Sequence, residues 1–191
     1  ELISEFFEIT RFNLQDIVLQ KETLDISMML EQLADESYAV LAEKSLTCSI
    51  HTDDNLLVDA DPDKLARVFD NLLRNAIAYS YPGTNIDIRA FGEQKDIIIT
   101  FSNQGDQIPP QKLNFIFEKF YRVDNARQSR TGGAGLGLSI AKEIVELHGG
   151  AIAASSSPVC TRFTVKLPRH EEAQPAAAKK WGRIAKNGGK E

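Results

Sequence analysis

Cysteine is scarce in this chain, with only Cys48 and Cys160 among 191 residues. They form no C-x-x-C pair and no zinc-ligand spacing, which excludes a dithiol redox motif and a cysteine-based zinc site. Two reduced core thiols are expected rather than a disulfide. Long apolar runs are also missing. The best, residues 97–101, is strand-sized, whereas a membrane span needs roughly 18 residues. No basic, apolar, small-residue leader pattern opens the chain. Positive charge is not in excess: the formal net charge is -5, which argues against nucleic acid as a general partner. With no span-length apolar run, no membrane contact by this chain is expected. What is present, 42% hydrophobic and 26% charged residues, is a globular balance, so disorder throughout, collagen and coiled coil are excluded. The length suits one domain with short appendages.

Apolar spacing and turn signals divide the chain. Residues 1–22 carry Leu2, Phe6 and Ile9 near helical spacing without an opening cap, and read as the end of a longer helix cut short. Exposed Phe6, Phe7 and Phe12 would then face an absent partner. Residues 27–44 predict an amphipathic helix capped by Ser27, with Met28, Met29, Leu33, Tyr38 and Leu41 inward. Short strands follow at 47–52 and 56–60. Asp61-Pro62 opens a helix running to about Tyr79, with Leu65, Val68, Phe69, Leu72, Leu73 and Ala76 as its buried stripe. Residues 85–91 and 96–103 make a hairpin with Gly92-Glu93 in its turn. Residues 104–134 are too long for a plain connection. A helix over about 136–147 ends at Gly149-Gly150, and strands at 151–156 and 161–167 close the domain. Beyond Pro168 lies a flexible tail, its last part, 171–191, holding five Lys/Arg against three Asp/Glu. The mixed order predicts an α/β two-layer sandwich, a mixed sheet of about five strands with about three helices on one face.

Four features carry chemistry. Asn71 and Asn75 are poor helix formers placed on one helical face, about 40° apart. They are either surface amides or oxygen donors for Mg²⁺, an ion that takes few protein ligands and leans on phosphates. Asn103-Gln-Gly105 leaves a strand ahead of Ile108-Pro109. A basic aromatic stretch, residues 116–127, carries Lys119, Arg122 and Arg127, with Arg130 just after. Thr131-Gly-Gly-Ala-Gly-Leu-Gly-Leu138 then opens a helix, where closely spaced glycines aim backbone N–H groups at an anion. The Walker pattern fails because Leu138 stands where lysine belongs, and the dinucleotide pattern fails at the same residue.

In this order the features resemble the catalytic, ATP-binding domain of sensor histidine kinases, in the Bergerat-fold superfamily with gyrase, Hsp90 and MutL ATPases. The resemblance covers residues 23–168. Asn71-Leu-Leu-Arg-Asn75-Ala is similar to the N box, Asn103-Gln-Gly105 to the first glycine box, residues 116–127 to the F box and residues 133–138 to the second glycine box. His148-Gly149-Gly150 is a familiar continuation. The F box and glycine box are most like those of the vancomycin-resistance sensors. The resemblance implies ATP and Mg²⁺ as cofactors, with Asn75 on the metal and Asn71 supporting it or a phosphate. It packs Tyr79 on adenine, makes Asn75, Arg122 and Arg127 the catalytic groups, and adds Asn103, Gly105, Ile108, Gly133, Gly135, Leu136, Gly137 and Leu138 to the nucleotide contacts. Residues 104–134 become an ATP lid. Asn103 replaces the usual aspartate, Gln107 a glycine and Ala78 a lysine, and Cys160-Thr161 stands where a glycine pattern is usual. More of the phosphate contact then falls to Arg122 and Arg127.

The resemblance also implies a reaction. Hydrolases of the superfamily activate water with a glutamate four residues before the metal asparagine. Asn71 stands there and is no general base, so phosphotransfer is favoured over ATP hydrolysis or a non-catalytic nucleotide-sensing module. The acceptor would be a histidine on a dimerisation hairpin, with residues 1–22 the end of one of its helices. Phosphate would then pass to a response regulator. The isolated domain would be monomeric and cytoplasmic, and the full-length protein a homodimer in the bacterial plasma membrane. His170 alone matches the acceptor spacing, with Glu171 and Pro175 after it, but it lies in the tail at the wrong end. The chain is not expected to phosphorylate itself.

Overall fold

The computed structural model describes residues 18–122 and 135–170. In chain order its elements are β1 (Glu22–Asp25), α1 (Ile26–Glu43), β2 (Thr47–Thr52), β3 (Leu57–Ala60), α2 (Pro62–Tyr79), β4 (Asn85–Glu93), β5 (Asp96–Asn103), α3 (Gly137–Leu147), β6 (Ala151–Ser156) and β7 (Thr161–Pro168), with a 3-10 turn over Pro110–Lys112. Five strands form one sheet in the order β2-β4-β5-β7-β6. Only β2 and β4 run parallel, since the connection between them includes α2; the other neighbours are antiparallel. The two-layer α/β sandwich is as expected, and β1 and β3 add a separate antiparallel ribbon.

Helix α2 is built as its sequence dictates. Pro62 supplies a preset φ and lacks only an N–H that the first turn leaves unused. Asp61 is the N-cap, its side chain accepting Lys64 N–H at 3.1 Å. The whole anticipated stripe is buried, with Ile77 added. Phe69 meets Phe101 of β5 at a ring separation of 5.9 Å, joining helix to sheet. Helix α3 lies beside α2, burying Ile140, Ala141, Ile144 and Val145, and Gly149 leaves it at φ +75°, where a side chain is disfavoured.

Several expectations are corrected. Residues 18–21 are not helical and Glu22 opens β1; the rest of the 1–22 segment, with Phe6, Phe7 and Phe12, lies outside the described residues. The cap of α1 is Asp25, which accepts Ser27 N–H at 2.8 Å, because the helix starts at Ile26 and Ser27 already lies inside its first turn. Met28 and Tyr38 are exposed, and Ile26 and Leu30 hold the core positions instead. Gly92-Glu93 belongs to β4, and the reversal falls at Gln94-Lys95, with Gln94 at φ 55°. Cys48 packs against the core, where burial and Asp87 push its thiol up to about 11. Cys160 is in the β6–β7 turn rather than the core. The tail does not begin at Pro168: Arg169 N–H donates to Lys95 O at 2.9 Å and His170 N–H to Leu57 O at 2.7 Å. Residues 171–191 lie outside the described residues.

His148 closes this frame from inside. It is buried at the end of α3, where Nδ1 faces Ile144 O at 2.8 Å and Nε2 accepts Asp61 N–H at 3.0 Å. That pairing fixes the neutral tautomer with the proton on Nδ1, since a second proton on Nε2 would meet the Asp61 N–H. Burial, opposed by the Ile144 hydrogen bond, holds the imidazole below its ordinary pKa. The unfolded chain therefore takes up the proton first. This contribution is complete above about pH 6.5 and is lost as pH falls through the folded value. Denaturation midpoints measured across pH 7.5 to 5 should fall on the acid side, and His148→Gln, which keeps an acceptor and cannot titrate, should flatten that part of the curve.

Candidate functional site

The site gathers around the second half of α2. Asn71 and Asn75 are half-buried on one face of the helix, and Ser80 ends it with its hydroxyl donating to Ala76 O at 2.6 Å. Asn71 lies over the start of α3: a Cβ added to Gly137 would stand 3.1 Å from Asn71 Oδ1. There Leu136 in the N-cap position makes no side-chain cap, and the first turn holds no acid. Ser139 Oγ donates backwards, to Leu136 O at 2.9 Å. The positive end of a helix thus sits beside an amide oxygen.

The exit of β5 closes on the end of the same helix. Gly105 packs against the Tyr79 carbonyl so closely that no Cβ fits, and Tyr81 N–H donates to Gln104 O at 2.9 Å. Asn103 is buried at the end of β5, opposite Thr161, with its Nδ2 3.4 Å from the same Gly105 position. Ile108 follows, its N–H on Ser156 Oγ at 2.9 Å. Tyr79 itself is 43% exposed, so its ring remains available to a ligand.

Residues 104–122 are fastened segment by segment rather than loose. Ile116 is buried and Phe117 meets Phe163 edge-on at 6.3 Å. Phe115 and Tyr121 pair at 5.8 Å. Phe120, at φ 64°, donates its N–H to Gly135 O at 3.1 Å, and Gly135, at φ +77°, leaves no comfortable space for a side chain there. Lys119 reaches Glu143 of α3 at 2.8 Å. Arg122 is half-buried directly after this clasp.

The described residues therefore bring Asn71 to Gly137, Tyr79 to Gly105 with Asn103 adjoining, and residues 120–121 to Gly135. Leu136 is buried and Leu138 packs against the core, so those two position the turn. Arg127 and Gly133 lie outside the described residues, as do Arg130 and the first glycines of the motif. Sequence reasoning missed Glu143 as the partner of Lys119, and Asp106, which accepts the Tyr81 hydroxyl at 2.7 Å. Neither pairing has a local signature. Asp70 is turned away from the asparagine face and accepts Arg74 Nε at 2.9 and 2.8 Å.

Comparison with known proteins gives this arrangement its class. The chain belongs to the histidine kinase-, DNA gyrase B- and HSP90-like ATPase family, whose model matches residues 60–171. Within the family it is an ATP-binding catalytic domain of the sensor histidine kinase kind. It is 55% identical to sensor protein VanS of Enterococcus faecium over 88% of this chain and 44% of that protein. It is 50% identical to sensor protein VanSC of Enterococcus gallinarum over 88% of this chain and 46% of that one. The chain thus spans less than half the length of these curated relatives. Among solved structures, the mycobacterial sensor histidine kinase MprB is similar with a TM-score of 0.68 and 26% identity, covering 80% of this chain and 99% of that one. Among the described residues no helix is long and apolar enough to cross a membrane.

Gly105 gives the most direct test of this packing. Gly105→Ala forces a methyl into the Tyr79 carbonyl and should cost about 1–3 kcal/mol in denaturant unfolding. Gly137→Ala should cost less, because the group it meets is a side-chain amide that can turn.

Proposed function

We propose that this domain binds Mg-ATP and transfers the γ-phosphate to a histidine on a dimerisation hairpin of the full-length protein, for onward transfer to a response regulator. The observation that carries the proposal is Asn71 laid over the start of α3, where Leu136 in the N-cap position supplies no side-chain cap. An amide oxygen beside the N–H end of a helix suits a phosphate chain with a bound cation better than it suits an apolar ligand. Among the described residues no three His, Cys, Asp or Glu side chains gather into a metal-holding group. A site with Asn75 as its protein ligand fits Mg²⁺, which takes phosphate oxygens for the remainder. Mg²⁺ held there would neutralise charge on the phosphates.

The chain's own residues do the rest. Tyr79 presents a ring face for adenine, and the Asn103 amide can accept from or donate to its edge. Gly105 lets the backbone close under it. Arg122, with Arg127, places positive charge beside the γ-phosphate, and the N–H groups of Gly135, Leu136, Gly137 and Leu138, together with Gly133, line the phosphate side. Phosphoryl transfer asks mainly for positioning and charge neutralisation, which such a set supplies. The chain before Val18 is read as the end of a hairpin helix, 23–168 as the catalytic domain, and the full-length protein as a membrane-anchored homodimeric sensor of the vancomycin-resistance kind.

Hydrolysis is the reading to test against. The position for a water-activating carboxylate is Asn71, and Asp70 beside it is engaged by Arg74. Self-phosphorylation at His170 is disfavoured as well, since its Nδ1 is held by Asp59 at 2.7 Å. Incubation with γ-labelled ATP and Mg²⁺, alone and with a separately made acceptor hairpin from a VanS-type sensor, separates these outcomes. Acid-labile label should appear on the hairpin only, and Asn75→Ala should reduce it at least about 100-fold. Free phosphate without label on the hairpin would point to the hydrolase, and label on His170 would contradict the assignment of the acceptor.

A further inference from the structure

Residues 18–25 lie outside the stretch matched by the family model, yet they are tied to its first element. β1 pairs antiparallel with β3, Glu22 opposite Ala60 and Thr23 opposite Asp59. Thr23 Oγ1 donates to Asp59 Oδ1 at 3.1 Å. Three residues before Thr23, the Gln20 N–H donates to Asp61 Oδ2 at 3.0 Å. An N-cap carboxylate ordinarily uses one oxygen on its helix and leaves the other to water. Here Asp61 is buried, its Oδ1 takes Lys64 N–H, its Oδ2 takes Gln20 N–H, and its own N–H goes to His148 Nε2. One residue joins the incoming chain, the first turn of α2 and the last turn of α3.

We infer that Asp61 is a positioning residue for the nucleotide site: through it the extended segment 18–25 acts as a strap that fixes where α2 sits and so where Asn71 and Asn75 are held. This rests on the nucleotide reading above. The lever is geometric. Asn71 lies ten residues and Asn75 fourteen residues beyond Asp61, about 15 and 21 Å along one continuous helix. A helix packed along its length transmits a displacement of its first turn, because its hydrogen bonds resist stretching and its buried stripe moves as a unit. At its far end α2 meets close neighbours, Asn71 against Gly137 and, with no room to give, the Tyr79 carbonyl against Gly105. A small change in the seating of the first turn is therefore felt where the amides meet the start of α3. Asp61 is kept ionised in this position: burial opposes its charge, but the N–H groups of Gln20 and Lys64 outweigh it and hold the carboxyl below its usual range.

Two variants separate the strap from an ordinary cap. Asp61→Ser keeps a good N-cap for Lys64 N–H but has one short oxygen, which cannot also serve Gln20. Gln20→Pro removes the strap's N–H and leaves Asp61 untouched. Both are made in the full chain and read at a temperature where both remain folded, by hydrogen exchange along α2 and by titration with Mg-ATP. Each should speed exchange of the α2 amides as far as Asn75 about tenfold and weaken Mg-ATP roughly three- to tenfold. The double variant should be no worse than either alone, because both break the same bond. Wild-type exchange along α2 in both variants, an effect of Asp61→Ser without one of Gln20→Pro, or additive effects in the double variant would overturn the strap. Failure of the wild-type chain to bind Mg-ATP would instead remove the nucleotide reading, and hydrogen exchange would still decide the strap.

Discussion

The seating of α2 on the sheet is the constraint from which the rest follows. Its apolar stripe is buried from Leu65 to Ile77, with Phe69 against Phe101 as its aromatic contact with the sheet. Each such side chain contributes roughly 1.5–3 kcal/mol relative to exposure, so the helix has one rotational setting that satisfies them all. That setting turns Asn71 toward the start of α3, with Asn75 one turn further along the same face. The candidate polar site is thus specified by apolar packing: two asparagines that weaken the helix locally are carried by buried leucines and a phenylalanine.

The two ends of α2 complete the frame by different means. At its start, hydrogen bonds engage both carboxylate oxygens of Asp61 and both ring nitrogens of His148. At its end, Gly105 is pressed on the Tyr79 carbonyl. The N-terminus of α3 then stands beside the Asn71 amide, and the segment through Lys119 and Phe120 is pinned to Gly135 and Glu143 on the same side. A helix N-terminus can hold a phosphate through its backbone N–H groups without a lysine beside it.

Much of this was legible in the sequence because the signals are local. Asp61-Pro62, the stripe that follows it, and Gly149 after α3 each encode an element within a few residues. The glycines of the site were legible as a pattern, and Gly105 and Gly137 prove to be positions where another chain segment leaves little or no room. What escaped is non-local. β1 has no alternation to announce it, since Glu22 and Thr23 are exposed and it exists only by pairing with β3. Met28 and Tyr38 looked inward because helical spacing alone fits several faces, and the one chosen is set by Ile26 and Leu30 against the core. His148 read as a helix end, but its role depends on Asp61, 87 residues earlier.

The central claim is that nucleotide phosphates meet this chain where the α2 amides face the start of α3. Titration of the isotope-labelled chain with Mg-ATP, followed by NMR, tests it most directly. The account predicts that shifts concentrate in the side-chain amides of Asn71 and Asn75, the backbone amides of residues 136–139, and Gly105. Shifts centred instead on the solvent face of the sheet, around His51, Arg89 and Arg162, would contradict it.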